Sequence, residues 1–168
     1  NSIIKRQAVG QSGEIQVIAA NIDYTFIVQA VDRDFNINRL ERYLTICNSS
    51  KVKPVIILSK IDLIDELRLK EILERITDRI PDVPVVTISN ETHTGYAELN
   101  NMIEKGNTYC LLGSSGVGKS TLLNNLSGKA GFITKNYSPF RNNPRKYLSI
   151  ENARKIDTIR EKIENWKN

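Results

Sequence analysis

The chain has 168 residues, 40% hydrophobic and 26% charged, the length and balance of about one globular domain of ordinary composition. No apolar run reaches the roughly 18 residues of a membrane span and no secretory signal opens the chain, so a membrane-embedded or exported class is not expected. The net charge of +5 sits wholly beyond residue 132, where nine Lys/Arg face four Asp/Glu (9 − 4 = +5) while the earlier 15 and 15 cancel. That local excess fits contact with a polyanion, or else a solvated helix face. Cys47 and Cys110 lie inside apolar patterns and are expected as reduced core thiols of a cytosolic protein.

In chain order, residues 1–14 are polar and read as a tail or linker. Within 15–32 the apolar, β-forming run 24–31 predicts a buried strand. Asn36 is the expected N-cap of a helix on which Ile37, Leu40, Tyr43, Leu44 and Cys47 recur at three- and four-residue spacing. "PVIILS" at 54–59 predicts a second buried strand. Leu69, Ile72, Leu73, Ile76 and Ile80 stripe a helix over 65–80, with Pro81 just beyond. "PVVTIS" at 84–89 predicts a third strand, and "YAELNNMIEKG" at 96–106 a short helix ended by Gly106. "TYCLLG" at 108–113 is the fourth strand, and "KSTLLNNLSG" at 119–128 the helix after a Gly-rich turn. Past Ala130 the periodicity breaks over a stretch with two prolines. Ile156, Ile159, Ile163 and Trp166 then mark an amphipathic basic helix, which either packs on the domain or docks on RNA or a partner.

Strands alternating with helices imply right-handed crossovers. The expected fold is α/β: a P-loop NTPase-like, mainly parallel sheet with helices on both faces, over residues 15–130, preceded by the linker 1–14 and followed by the basic segment 131–168. Ligands of such sheets bind at the carboxyl ends of the strands. Three of the four predicted strands end there in polar turns, at 59–62, 89–90 and 113–120.

The last of these turns matches G-x-x-x-x-G-K-[ST]. Its expected phosphate-binding set is Gly113, Ser114, Ser115, Gly116, Val117, Gly118, Lys119, Ser120 and Thr121. Backbone N–H groups curl around phosphates only where Gly permits the dihedrals and the close approach. The helix starting near Lys119 adds its positive dipole end. Lys119 is expected at the β- and γ-phosphates, and the Ser120 hydroxyl on Mg²⁺.

"VIILSKIDLIDE" at 55–66 places Lys60 and Asp62 as Lys-x-Asp at a strand end. Alone that spacing is weak, since a chain this long holds about one by chance. Its position strengthens it: a buried strand precedes and a helix follows. An Asp carboxylate there accepts from guanine's ring N–H and exocyclic amine together, a donor pair that adenine lacks. The Lys60 stem would pack along the base, Ser59 closes the strand, and Ser89-Asn90 would offer a backbone N–H to the base carbonyl. The expected guanine-binding set is therefore Ser59, Lys60, Asp62, Ser89 and Asn90.

The base motif thus precedes the phosphate loop, the reverse of an ordinary GTPase. With "QVIAANID" (16–23), "DFNINRLERYL" (34–44), "PVIILSKIDL" (54–63) and "CLLGSSGVGKSTLLNNLSG" (110–128), the chain resembles the circularly permuted GTPases and, among them, the small-ribosomal-subunit-dependent GTPase A family. The resemblance implies hydrolysis of GTP to GDP and phosphate with Mg²⁺, in maturation of the small ribosomal subunit. It also implies contact with ribosomal RNA; a cytoplasmic location, a monomeric state and no membrane partner are expected alongside.

Several family features are not found. Ser59 stands where the family carries Asn or Thr. Neither the Thr-rich switch segment nor the Asp-x-Pro-Gly turn follows the phosphate loop; Asp157-Thr158 begins like that turn but continues as Ile159-Arg160. The family's zinc module needs clustered ligands, and Cys47, Cys110 and His93 are widely separated, so no zinc ligand is assigned; His93 is expected in a surface loop. Residues 1–14 look like the trailing end of the family's N-terminal RNA-binding barrel, and the start at Asn1-Ser2 without Met suggests a fragment. Omitted mobile segments account for these gaps better than a truly shortened protein does. No water-positioning catalytic residue can be named, so turnover without the ribosome is expected to be slow. The alternatives are a nucleotide-dependent RNA- or ribosome-binding switch with little hydrolysis, and a transporter-type ATPase, whose signature segment and acidic strand end do not follow.

Overall fold

The computed structural model describes residues 3–7, 15–32 and 35–127. The basic segment 131–168, with its expected amphipathic helix, lies outside the described residues. Two strands, β1 (Ile3–Gln7) and β2 (Ile15–Ala20), pair antiparallel with a register irregularity between Ile4 and Lys5. A strand therefore occupies part of the stretch read as a tail, and a second one precedes the first predicted strand. Their short, mixed sequences carry little period; they become strands by pairing with each other.

The remaining strands are β3 (Tyr24–Ala30), β4 (Lys53–Ser59), β5 (Val85–Ile88) and β6 (Tyr109–Leu112). They form one sheet in the order β5-β4-β3-β6, and every pairing is parallel. The helices are α1 (Ile37–Ser49), α2 (Glu66–Arg79), α3 (Tyr96–Asn101) and α4 (Lys119–Ser127). The Asn36 side chain caps α1 by accepting from the Arg39 N–H at 3.3 Å, and Asp65 caps α2 by accepting from the Arg68 N–H at 2.7 Å.

Alternation along the strands divides the core into two layers. On one face Ile27, Ile56, Leu58, Cys110 and Leu112 meet α1 through Leu40, Leu44 and Cys47, and α2 through Ile72 and Ile76. On the other face Phe26, Val28, Val55, Ile57, Val86, Ile88 and Leu111 meet Tyr96 and Leu99 of α3 and Leu122 and Leu126 of α4. Covered on both sides, β3 and β4 read as continuous apolar runs rather than alternating ones. Leu69 and Leu73, expected in the α2 stripe, are only half-buried. Both cysteines are free and fully buried. Burial raises both thiol pKa values, that of Cys110 to about 12, which suits inert core positions.

The third helix departs from expectation. It ends at Asn101, not at Gly106. Past it the Tyr109 hydroxyl accepts from the Glu104 N–H at 2.9 Å and lies 3.2 Å from the Met102 carbonyl, to which it donates. These bonds from β6 give the backbone partners other than those of a continued helix.

Ile57 is fully buried on the central strand β4. Ile57→Ala is expected to cost about 2–5 kcal/mol, read as a lower urea midpoint with an unchanged slope.

Candidate functional site

Because the four strands run parallel, β4, β5 and β6 all end on one edge of the sheet. The phosphate loop leaves β6 there, with Gly113, Gly116 and Gly118 at φ of +152°, +82° and +94°. At Gly113 a Cβ would sit 2.2 Å from the Val28 carbonyl oxygen of β3, a backbone atom. The turn thus starts pressed against the neighbouring strand, and only Gly fits. Gly113→Ala is expected to lower the thermal midpoint by several degrees, from a strain of about 1–3 kcal/mol.

Lys119 opens α4 and folds back over the loop. Its ammonium donates to the Gly113 carbonyl at 2.8 Å and the Ser114 carbonyl at 2.5 Å. Burial pulls its pKa down to about 8, while these two acceptors favour the charged form. Ser114 is half-buried and Ser115 and Gly116 are exposed; Val117 is buried against the α3–α4 layer. Ser120 is exposed and Thr121 half-buried in the first turn of α4.

Two neighbouring strand ends clasp this loop. The buried Ser59 hydroxyl, last in β4, donates to the Val117 carbonyl at 2.7 Å. The Asn90 side chain, just past β5, donates to the Gly118 carbonyl at 3.3 Å. The corner is close enough that a Cβ on Gly118 would meet the Asn90 amide nitrogen at 2.5 Å. Ser59, though short, spans the gap because β4 ends directly beside the loop.

Lys60 follows Ser59 in the left-handed region at φ +65°, and its ammonium pairs with Asp32 at 2.8 Å. Asp62 lies on the 3₁₀ turn Ile61–Leu63 and is exposed. Ser89 is fully buried. Its hydroxyl accepts from the N–H groups of Glu91 and Thr92, and its own N–H donates to the Thr94 carbonyl. That N–H is thus engaged within its own turn, where a donor to the base carbonyl was expected. His93 is exposed in this turn, its ring 5.2 Å from that of Tyr96.

Sequence reading missed Asp32, Tyr96 and Asn125. Asp32 follows β3 at the same sheet edge and lacks any motif; the strand order β4-β3 is what brings it to Lys60. Tyr96 and Asn125 were read only as members of helices.

Residues 1–146 match the RsgA GTPase family. The chain is 48% identical over 126 residues to a small ribosomal subunit biogenesis GTPase RsgA of Methanosarcina acetivorans, covering 75% of this chain and 34% of that protein. It is 45% identical over 134 residues to a small ribosomal subunit biogenesis GTPase RsgA 2 of Lactiplantibacillus plantarum, covering 80% and 37%. The chain thus spans about a third of the length of these curated relatives. In fold it resembles YjeQ from Thermotoga maritima, with TM-score 0.62 and 24% identity over 81% of this chain and 45% of that one. It also resembles YloQ, described as a circularly permuted GTPase, with TM-score 0.55 and 22% identity over 75% and 48%. The sheet and its helices are thus those of a circularly permuted P-loop GTPase.

Proposed function

The chain belongs to the RsgA GTPase family, and from that membership we propose that it binds GTP where β4, β5 and β6 end and hydrolyses it to GDP and phosphate during maturation of the small ribosomal subunit. The observation that carries this reading is the pair of hydrogen bonds from Ser59 and Asn90 to the Val117 and Gly118 carbonyls. They hold the turns after β4 and β5 beside the Gly-rich turn, which supports one nucleotide touching all three.

In this reading the loop amides of 113–119 and the Lys119 ammonium hold the phosphates, the ammonium exchanging its carbonyl partners for phosphate oxygens. Ser120 offers one exposed hydroxyl oxygen. That suits Mg²⁺, which keeps most of its waters and draws its other ligands from substrate phosphates. The ion would neutralise charge on the transferring phosphate. Asp62 reads guanine, with the Lys60 stem along the base, its head held by Asp32. The base carbonyl takes the N–H of Asn90, since that of Ser89 is engaged with Thr94. The positive excess beyond residue 132 meets the phosphates of ribosomal RNA. The protein works in the cytoplasm as a monomer; among the described residues no helix is long and apolar enough to cross a membrane.

Competition of GTP against ATP for a fluorescent guanine nucleotide tests the assignment, and equal affinities refute it. Turnover with and without small subunits tests the hydrolytic part: no stimulation would favour a nucleotide-dependent RNA-binding switch.

The low pKa of Lys119 gives a further expected result. Phosphates hold the ammonium charged, so the bound state has the higher pKa and binding takes up a proton above pH 8. Guanine-nucleotide affinity should be level just below that pH and fall above it, by up to about tenfold per unit. Titrations across this range check it, with Lys119→Arg expected to flatten the profile.

A further inference from the structure

Asn90 is engaged by more than the phosphate loop. Its side-chain oxygen accepts from the Tyr96 hydroxyl at 2.7 Å. Asn125 of α4 donates to both the Asn90 backbone carbonyl at 3.1 Å and the Tyr96 hydroxyl oxygen at 2.9 Å. The Gly118 carbonyl that Asn90 reaches also accepts the Leu122 N–H of α4 at 2.8 Å. A closed circuit therefore joins the turn after β5, the start of α3, the second turn of α4 and the end of the phosphate loop.

We propose that Tyr96 and Asn125 are positioning residues that lock the base-contacting turn at Asn90 onto the phosphate loop, so that the two ends of the nucleotide meet one rigid surface. The inference rests on the reading of that turn as a guanine contact.

The polarity of the circuit is determined by its ends. The Gly118 and Asn90 carbonyls can only accept, so each amide turns its nitrogen toward them. The chain then runs one way, from Asn125 to the Tyr96 hydroxyl to the Asn90 oxygen, and each donor polarises the next. Burial raises the Tyr96 pKa, which keeps the phenol protonated and able to donate. Tyr96 is 8% exposed and its ring packs in the α3–α4 layer. Removing the hydroxyl alone thus cuts the circuit while leaving the packing in place.

The Gly-rich turn holds Gly116 and Gly118 at positive φ, and the turn at Asn90 rests on the short strand β5. Without a cross-link, the guanine contacts could drift relative to the phosphates. Ser59 ties β4 to Val117; the Asn90 circuit is the separate tie from β5.

The test compares GDP with ADP, which shares the phosphates and sugar but makes no demand on the guanine contacts. Affinities come from competition against a fluorescent guanine nucleotide, carried to saturation. Tyr96→Phe is expected to weaken GDP about three- to tenfold and leave ADP unchanged. Asn125→Ala should weaken GDP at least as much, since it also removes the bond to the Asn90 carbonyl, and the double variant should lose clearly less than the sum of the two, because both cut one chain. Additive losses, equal weakening of GDP and ADP, or an unchanged ratio would overturn the proposal; a merely structural role predicts the equal weakening. Failure of the underlying function is separate: the unaltered protein would then show no preference for GDP.

Discussion

Replacing Lys119 by alanine is expected to lower guanine-nucleotide affinity by roughly two to three orders of magnitude, with the sheet and its two core layers intact. A charge-assisted hydrogen bond is worth about 1.5–3 kcal/mol, and the ammonium would reach two phosphates. About 3–4 kcal/mol follows, after allowing for the bonds it gives up. Those are its contacts with the Gly113 and Ser114 carbonyls. The variant frees these acceptors, so a small fall in thermal midpoint accompanies the loss. Equilibrium titration with a fluorescent, non-hydrolysable GTP analogue, which carries both phosphates, beside a melting curve, reads both. Unchanged affinity in a folded Lys119→Ala protein would remove the phosphate assignment.

Asp62→Asn is expected to change which base is accepted. The carboxylate offers only acceptors, matching guanine's ring N–H and exocyclic amine. Xanthine carries a carbonyl in place of that amine, and an amide side chain presents the N–H it needs. GTP affinity should fall on the order of a hundredfold while xanthosine triphosphate gains. Asp62 is exposed on its 3₁₀ turn, which keeps the loss below that of a fully buried pair. Paired titrations with the two nucleotides decide it. Retained GTP preference would move guanine reading to another residue, and the N–H of Asn90 is the next candidate. Asp32 offers a control: it holds the Lys60 ammonium at 2.8 Å, so Asp32→Ala should loosen base binding without admitting xanthine.

Much of the fold was legible because its signals are local. The apolar runs of β3 and β4 need only burial on both faces, and the stripe on α1 and the cap at Asn36 need only neighbours within a turn or two. The Gly-rich turn after β6 was legible for the same reason: the glycines that bend it lie within a few residues of backbone. Elements decided by distant partners were not. β1 and β2 exist through their mutual pairing. The end of α3 comes from the Tyr109 hydroxyl, which reaches back from β6 to Met102 and Glu104.

The order of the site was decided between these extremes. Lys60 and Asp62 stand more than fifty residues before the phosphate loop, and the chain alone shows only that each motif closes a strand. Parallel pairing of β4 with β3, and of β3 with β6, carries the strand ends to one edge, because parallel neighbours finish side by side.

By itself, the sequence determined the elements with short-range causes, the family, and the residue types of the phosphate loop. Folding decided which polar groups touch. Ser59 on Val117, Asp32 on Lys60, and the Asn90–Tyr96–Asn125 circuit join residues 28 to 58 positions apart, save the six between Asn90 and Tyr96. A hydrogen bond acts over about 3 Å, so it exists only after the hydrophobic layers have placed its partners.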